Sequence, residues 1–221
     1  MKKKILALTL CVVLLAIAAV GATLAYFTDT DEVKNTFTIG NVKIELLESK
    51  LHRETDNATD EAIAADAEKY AEYLAEAGKN MLPGTTVNKA PYIRNTGSNN
   101  AYVRLRMLVP VGVMDLLTCT PTSEAYTDGS IAEPVQLENM TIDGVEYAQF
   151  AFVYAKALAP EEMTYWPAFW QVKLNEDVTS EDVAALDLTD ATFDIILQAD
   201  AIQADTFTTA AEAFAAFDAQ N

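Results

Sequence analysis

Ala101-Tyr102-Val103-Arg104-Leu105-Arg106-Met107-Leu108-Val109 reads as a β-strand, because Val103, Leu105 and Met107 alternate with Arg104 and Arg106. Period-two alternation of apolar and polar residues is the mark of a half-buried strand. Thr96-Gly97-Ser98-Asn99-Asn100 joins it to an earlier strand over 85–95, which the turn Leu82-Pro83-Gly84 introduces. Further upstream, the segment 37–48 alternates too. Phe37, Ile39, Val42, Ile44 and Leu46 can face a core while Lys43 and Glu45 face water, and Gly40-Asn41 marks a bulge where the face changes. Downstream, strands are expected at 147–154, 163–174 and 192–202; in the last, Phe193, Ile195, Leu197 and Ala199 share a face. Turn-punctuated strands with few helices predict an antiparallel β-sandwich.

Helical periodicity interrupts this pattern over 60–77. Ile63, Ala67, Tyr70, Leu74 and Ala77 form one stripe, with Asp60, Glu61, Glu68, Glu72 and Glu76 off it. Thr59 is the candidate N-cap and Gly78 the terminator. The spacing predicts one acidic helix, inserted at about 57–79. Shorter helices are expected from Thr179 to Leu186 and after Thr209, where Thr209 and Glu212 fit a capping box and Phe214 and Phe217 share a face.

The amino terminus has a different character. Lys2-Lys3-Lys4 precedes an apolar run from Ile5 to Val20, and Gly21-Ala22-Thr23-Leu24-Ala25 supplies small residues. This is the tripartite pattern of a signal peptide, with its helix over 1–25 and its cut between Ala25 and Tyr26. A membrane-spanning helix needs roughly 20 apolar residues, so length alone also admits an anchor. The small-residue exit and the missing basic flank favour cleavage. A single sandwich domain over 26–221 is the expected product.

Loss of the three lysines takes the formal net charge from −18 to −21. Such a charge repels nucleic acid and anionic membrane surfaces. Cys11 leaves with the signal, so Cys119 has no partner for an internal disulfide. An exported chain without disulfides suits the cell surface of a Gram-positive bacterium.

Catalytic patterns are sparse. His52 is the single histidine, which rules out His-rich zinc motifs; in Leu51-His52-Arg53-Glu54 it reads as a solvent-exposed loop residue. There is no G-x-S-x-G, P-loop or dinucleotide fingerprint. No catalytic residue, cofactor or resident metal is expected. Asp29, Asp31 and Glu32 are candidates for oxygen ligation, but they fail the EF-hand pattern because Lys34 and Gly40 fall at loop positions that need Gly and Glu. Trp166 and Trp170, in the densest aromatic cluster, are candidates for a surface platform for carbohydrate or a partner, against core packing as the default.

The block Gly21-Ala22-Thr23-Leu24-Ala25-Tyr26-Phe27-Thr28-Asp29, followed by Asn35-Thr36-Phe37-Thr38-Ile39-Gly40-Asn41-Val42, resembles the start of SipW-dependent exported proteins of the TasA/camelysin (CalY) biofilm fibre family. Leu82-Pro83-Gly84, Asn95-Thr96-Gly97-Ser98, Ala101-Tyr102-Val103-Arg104 and the stretch from Ala201 to Phe214 add to the likeness. Glu161 departs from it, standing after Leu158-Ala159-Pro160 where a Gly turn is expected.

The resemblance implies a jelly-roll β-sandwich and processing by a SipW-type signal peptidase. It also implies a structural role in secreted fibres, with further copies of the chain and other matrix proteins or polysaccharide as partners. In such fibres the freed N-terminal segment completes the next subunit's sheet, and Phe27, Val33, Phe37 and Ile39 are the apolar strand-donor candidates. The alternatives are a camelysin-like surface metalloprotease and a monomeric surface adhesin.

Overall fold

The computed structural model describes residues 28–32, 35–37, 42–79, 81–186 and 192–220. Among these residues the chain is mainly β, with antiparallel sheets and a few short helices. The strands are β1 (Thr28–Glu32), β2 (Asn35–Phe37), β3 (Ile44–Ser49), β4 (Thr86–Asn88), β5 (Ala90–Asn95), β6 (Ala101–Pro110), β7 (Leu117–Pro121), β8 (Val135–Ile142), β9 (Val145–Val153), β10 (Phe169–Leu174) and β11 (Ile196–Gln203). The helices are α1 (Asp60–Ala67), α2 (Tyr70–Ala77), α3 (Ser123–Thr127), α4 (Ser180–Ala185) and α5 (Ala210–Asp218). The expected signal helix and the bulge at Gly40 lie outside the described residues.

One sheet has six strands in the order β2-β1-β11-β6-β9-β8; smaller sheets are β4-β10-β7 and β3-β5. The two small sheets adjoin where Lys89 N–H donates to the Trp170 carbonyl at 2.9 Å. Alternation explains the core between the layers. Val103, Leu105 and Met107 of β6, with Phe152, Leu197 and Ala199 beside them, meet Ile44, Ile93, Phe169 and Val172 from the small sheets. Each large side chain so enclosed is worth about 1.5–3 kcal/mol over leaving it in water.

The outer face of β6 and β11 is also covered. Ile202 packs against Phe214 and Phe217 of α5, as the spacing of those two rings predicts. Asp200, fully enclosed, accepts hydrogen bonds from Arg104 Nη2 at 2.7 Å and Arg106 Nε at 2.7 Å. Arg104 also reaches Asp218 at the end of α5, with Nη1 donating at 2.9 Å, and its guanidinium lies 4.7 Å from the Phe214 ring centroid. Burial works against the Arg104 charge, but the bonds to Asp218 and the neighbouring Asp200 outweigh it and hold its pKa above the ordinary value.

The helical insertion differs from its expected form. In place of one helix over 60–77 there are two, broken at Glu68-Lys69, where Lys69 takes φ −111°. α1 sets Ile63 against Leu47 and Tyr92. α2 directs Tyr70 Oη to the Asn88 carbonyl at 3.0 Å, and Tyr73 Oη accepts from Asn88 N–H at 3.0 Å. The break re-aims the second half of the insertion onto β4.

The expected strand over 163–174 begins only at Phe169. Before it, Thr164 N–H donates to the Ile93 carbonyl at 2.9 Å, and Pro167 offers no donor to a ladder. The capping box at Thr209 is displaced by one residue: Thr209 Oγ1 accepts from Glu212 N–H, but the Glu212 carboxylate accepts from Thr208 N–H. Glu161, where a Gly turn was expected, has φ 64°. The turn keeps the left-handed backbone that glycine adopts most readily, without the glycine.

Replacing Asp200 by Ala should leave Arg106 without its carboxylate and Arg104 with Asp218 alone. Loss of one partner from a buried ion pair costs about 3–5 kcal/mol. Urea unfolding should report a loss of that size, and a loss below about 1 kcal/mol would show that the network does not hold the sheet.

Candidate functional site

Two regions stand out, the edge that carries the first strand and an aromatic cleft on the small-sheet side. At the edge, β1 lies antiparallel on β11, in a register that runs from Thr28 opposite Ile202 to Glu32 opposite Gln198. β2 pairs on the far side of β1, with Phe37 opposite Thr30. β11 is thus flanked by β6 on one side and by the start of the chain on the other.

Asp29, Asp31 and Glu32, the candidate oxygen ligands, all fall on β1. Of the strand-donor candidates, Phe37 falls on β2; Phe27, Val33 and Ile39, like the cut between Ala25 and Tyr26, lie outside the described residues. The strand that pairs directly with β11 is therefore the polar Thr-Asp-Thr-Asp-Glu run rather than an apolar one.

The cleft is built around the loop that follows β3. Arg53 organises it. Its Nε donates to the Tyr165 carbonyl at 2.9 Å, and Nη1 pairs with Asp60 Oδ1 at 2.6 Å. Its guanidinium lies 5.1 Å from the Tyr165 ring centroid and 5.7 Å from that of Tyr92. Such stacking suits the planar, weakly hydrated guanidinium. Tyr165 donates its hydroxyl to Glu54 and meets Trp166 edge-on at 4.8 Å. Trp166 Nε1 donates to Asp128 Oδ2 at 3.1 Å.

The aromatic residues are not disposed as the surface reading expects. Trp166 is buried, Trp170 is half-buried, and the exposed member of the cluster is Tyr165, at 53%.

His52 is also a correction. It is buried, not solvent-exposed, with its ring 6.0 Å from that of Trp166 and 5.4 Å from that of Trp170. Thr55 N–H donates to His52 Nδ1 at 3.3 Å, which requires that nitrogen to be unprotonated. Burial pushes the imidazole below its ordinary 6.5, with Glu124, Asp56 and Glu54 pulling the other way.

Cys119 is half-buried, its Sγ 3.8 Å from Met107 Sδ. Burial pushes its thiol up to about 11 against the pull of Lys89, so little thiolate exists near neutrality. Among the described residues no group of three or more His, Cys, Asp or Glu side chains could hold a metal ion. Comparison with family models, with curated proteins and with solved structures finds no match.

The neutral His52 gives a pH signature. Its folded pKa lies below the unfolded value, so its stabilising contribution is present above about pH 6.5 and is lost as pH falls through the window beneath. His52→Gln should therefore show a smaller drop in unfolding free energy than the parent between about pH 7 and pH 5. Equal drops in urea titrations would show that the ring is not held neutral.

Proposed function

We propose that this chain is a secreted structural subunit of an extracellular surface or biofilm matrix fibre, assembled by donation of its N-terminal strand after signal cleavage. The observation that carries the reading is the place of β1. It begins just beyond Tyr26-Phe27, at the proposed new terminus, and it lies along β11, with β2 beyond it at the edge of the sheet. The same ladder of main-chain hydrogen bonds can form with the β11 of another copy, which is how strand addition and segment exchange build assemblies.

In this reading the domain is a jelly-roll β-sandwich of the TasA/camelysin type running over 26–221. The processing partner is a SipW-type peptidase, the site is the Gram-positive surface or matrix, and no catalytic step is needed. While the signal is attached, β1 is tethered at the membrane, so growth waits for the cut. A mature charge of −21 opposes casual association. Added salt screens that repulsion, so it should speed fibre growth.

The test compares chains 26–221 and 42–221 by electron microscopy and sedimentation. The described core clusters draw on residues from Val42 onward, so the shorter chain should fold. It should stay monomeric, and a synthetic 26–41 peptide should bind it. Fibres from the shorter chain at the parental rate would exclude the N-terminus as donor and remove this reading.

A further inference from the structure

A cleft of about 360 Å³ opens between the start of α1 and the segment that links β9 to β10. It shares none of its lining with β1, β2 or β11, and it falls in the range of about 300–1,000 Å³ typical of small-molecule sites. Tyr165 and Trp166 form an aromatic wall, Tyr154 and Thr164 lie within, and two ion pairs stand at the polar side, Arg53 with Asp60 and Lys156 with Glu162. We propose that this cleft binds a neutral hexose ring of an extracellular oligosaccharide.

Charge excludes the other ligand classes. Both cations of the cleft are already matched at 2.6 Å, Arg53 by Asp60 and Lys156 by Glu162, so no unmatched cation waits for a phosphate or carboxylate. The mature charge of −21 repels anions further. A cationic ligand is disfavoured by the like charges of Arg53 and Lys156 in the lining. A purely apolar ligand would leave Asp60, Glu162 and Lys156 desolvated without compensation.

What remains is a ligand with an apolar face and a rim of hydroxyls, and the cleft offers both complements. Aromatic faces are electron-rich, and the C–H bonds on one side of a pyranose present the matching polarity. Tyr165 is the accessible ring, 53% exposed yet held in place by its bond to Glu54 and its edge-on contact with Trp166. Around it, carboxylates accept and Lys156, Thr164 and Ser130 donate, as neutral hydroxyls need.

Tyr154 adds an independent sign. It is 5% exposed, it lines the cleft, and its buried hydroxyl makes no hydrogen bond of good geometry, although the Thr164 side chain and the Ala168 backbone are close. A buried polar atom in that state is costly to leave unmatched. A ligand hydroxyl, or a water it retains, would relieve the cost.

The experiment uses the mature chain, residues 26–221, with maltotriose, cellotriose and laminaritriose as neutral probes and trigalacturonate as the acidic one. Binding is read by tryptophan fluorescence, since Trp166 lines the cleft, and by saturation-transfer NMR on the sugar C–H protons. At least one neutral trisaccharide should bind at or below about 10 mM. Tyr165→Ala should weaken that binding by about tenfold or more, and Tyr165→Phe, which keeps the ring, should retain it within about twofold. Circular dichroism of both variants checks folding. No neutral binding, tighter binding of trigalacturonate, or Tyr165→Ala binding as the parent does would each overturn the proposal. None of these readouts depends on fibre formation, so the strand-donation reading stands or falls separately.

Discussion

Asp200 is the residue on which the arrangement turns. It has no exposed surface, and it sits opposite Arg104 in the β6–β11 ladder with Arg106 on the same face. A carboxylate in that position is tolerable only if its charge is matched and its lone pairs are filled. Both arginines do this, and Arg104 extends the network to Asp218 of α5. A one-residue slip of β11 would turn Asp200 into the apolar core and Ala199 or Ala201 out to the arginines. The network therefore locks the register of the two central strands and seats the C-terminal helix. It also sets which backbone groups of β11 are presented to β1, since Thr30 lies opposite Asp200.

How much of this could be read from the chain depends on the distance over which each residue finds its partners. The inward set Val103, Leu105 and Met107 was legible because alternation is a local property, and so was the pairing of Phe214 with Phe217 on one helix face. That Arg104 is buried was not. Its partners are 96 and 114 residues away, and no local period encodes them. His52 fails for the same reason. Apart from Leu51 its neighbours in sequence are polar, while the rings that enclose it arrive from the segment before and at the start of β10. The Arg53 bond to the Tyr165 carbonyl spans 112 residues.

β8 was missed for another cause. Its register shifts between Leu137 and Met140, so it shows no clean alternation, and Val135 is exposed. The usable signal was Asp143-Gly144, whose φ values of 49° and 85° suit the tight turn that favours those residues. The helix break at Lys69 follows from tertiary demand, because Ile63 and Tyr70 must reach different strands. Propensity alone favours continuing an Ala- and Glu-rich helix.

The composition of β1 bears on how strand donation could be controlled. β1 is a Thr-Asp-Thr-Asp-Glu run joined to β11 by an antiparallel main-chain ladder. Those bonds are the same in cis and in trans. The balance between closed monomer and fibre is then decided by factors outside the ladder. Within one chain, a short tether holds the strand at an effective concentration of about millimolar. A neighbouring copy competes only when subunits are crowded to a similar level and their mutual repulsion is screened. In the proposed function, processing at a membrane surface would supply crowding, and ions outside the cell would supply screening. Under the proposed function, the negative charge would keep subunits apart until they are concentrated, and the main-chain ladder of β1 could then exchange between copies.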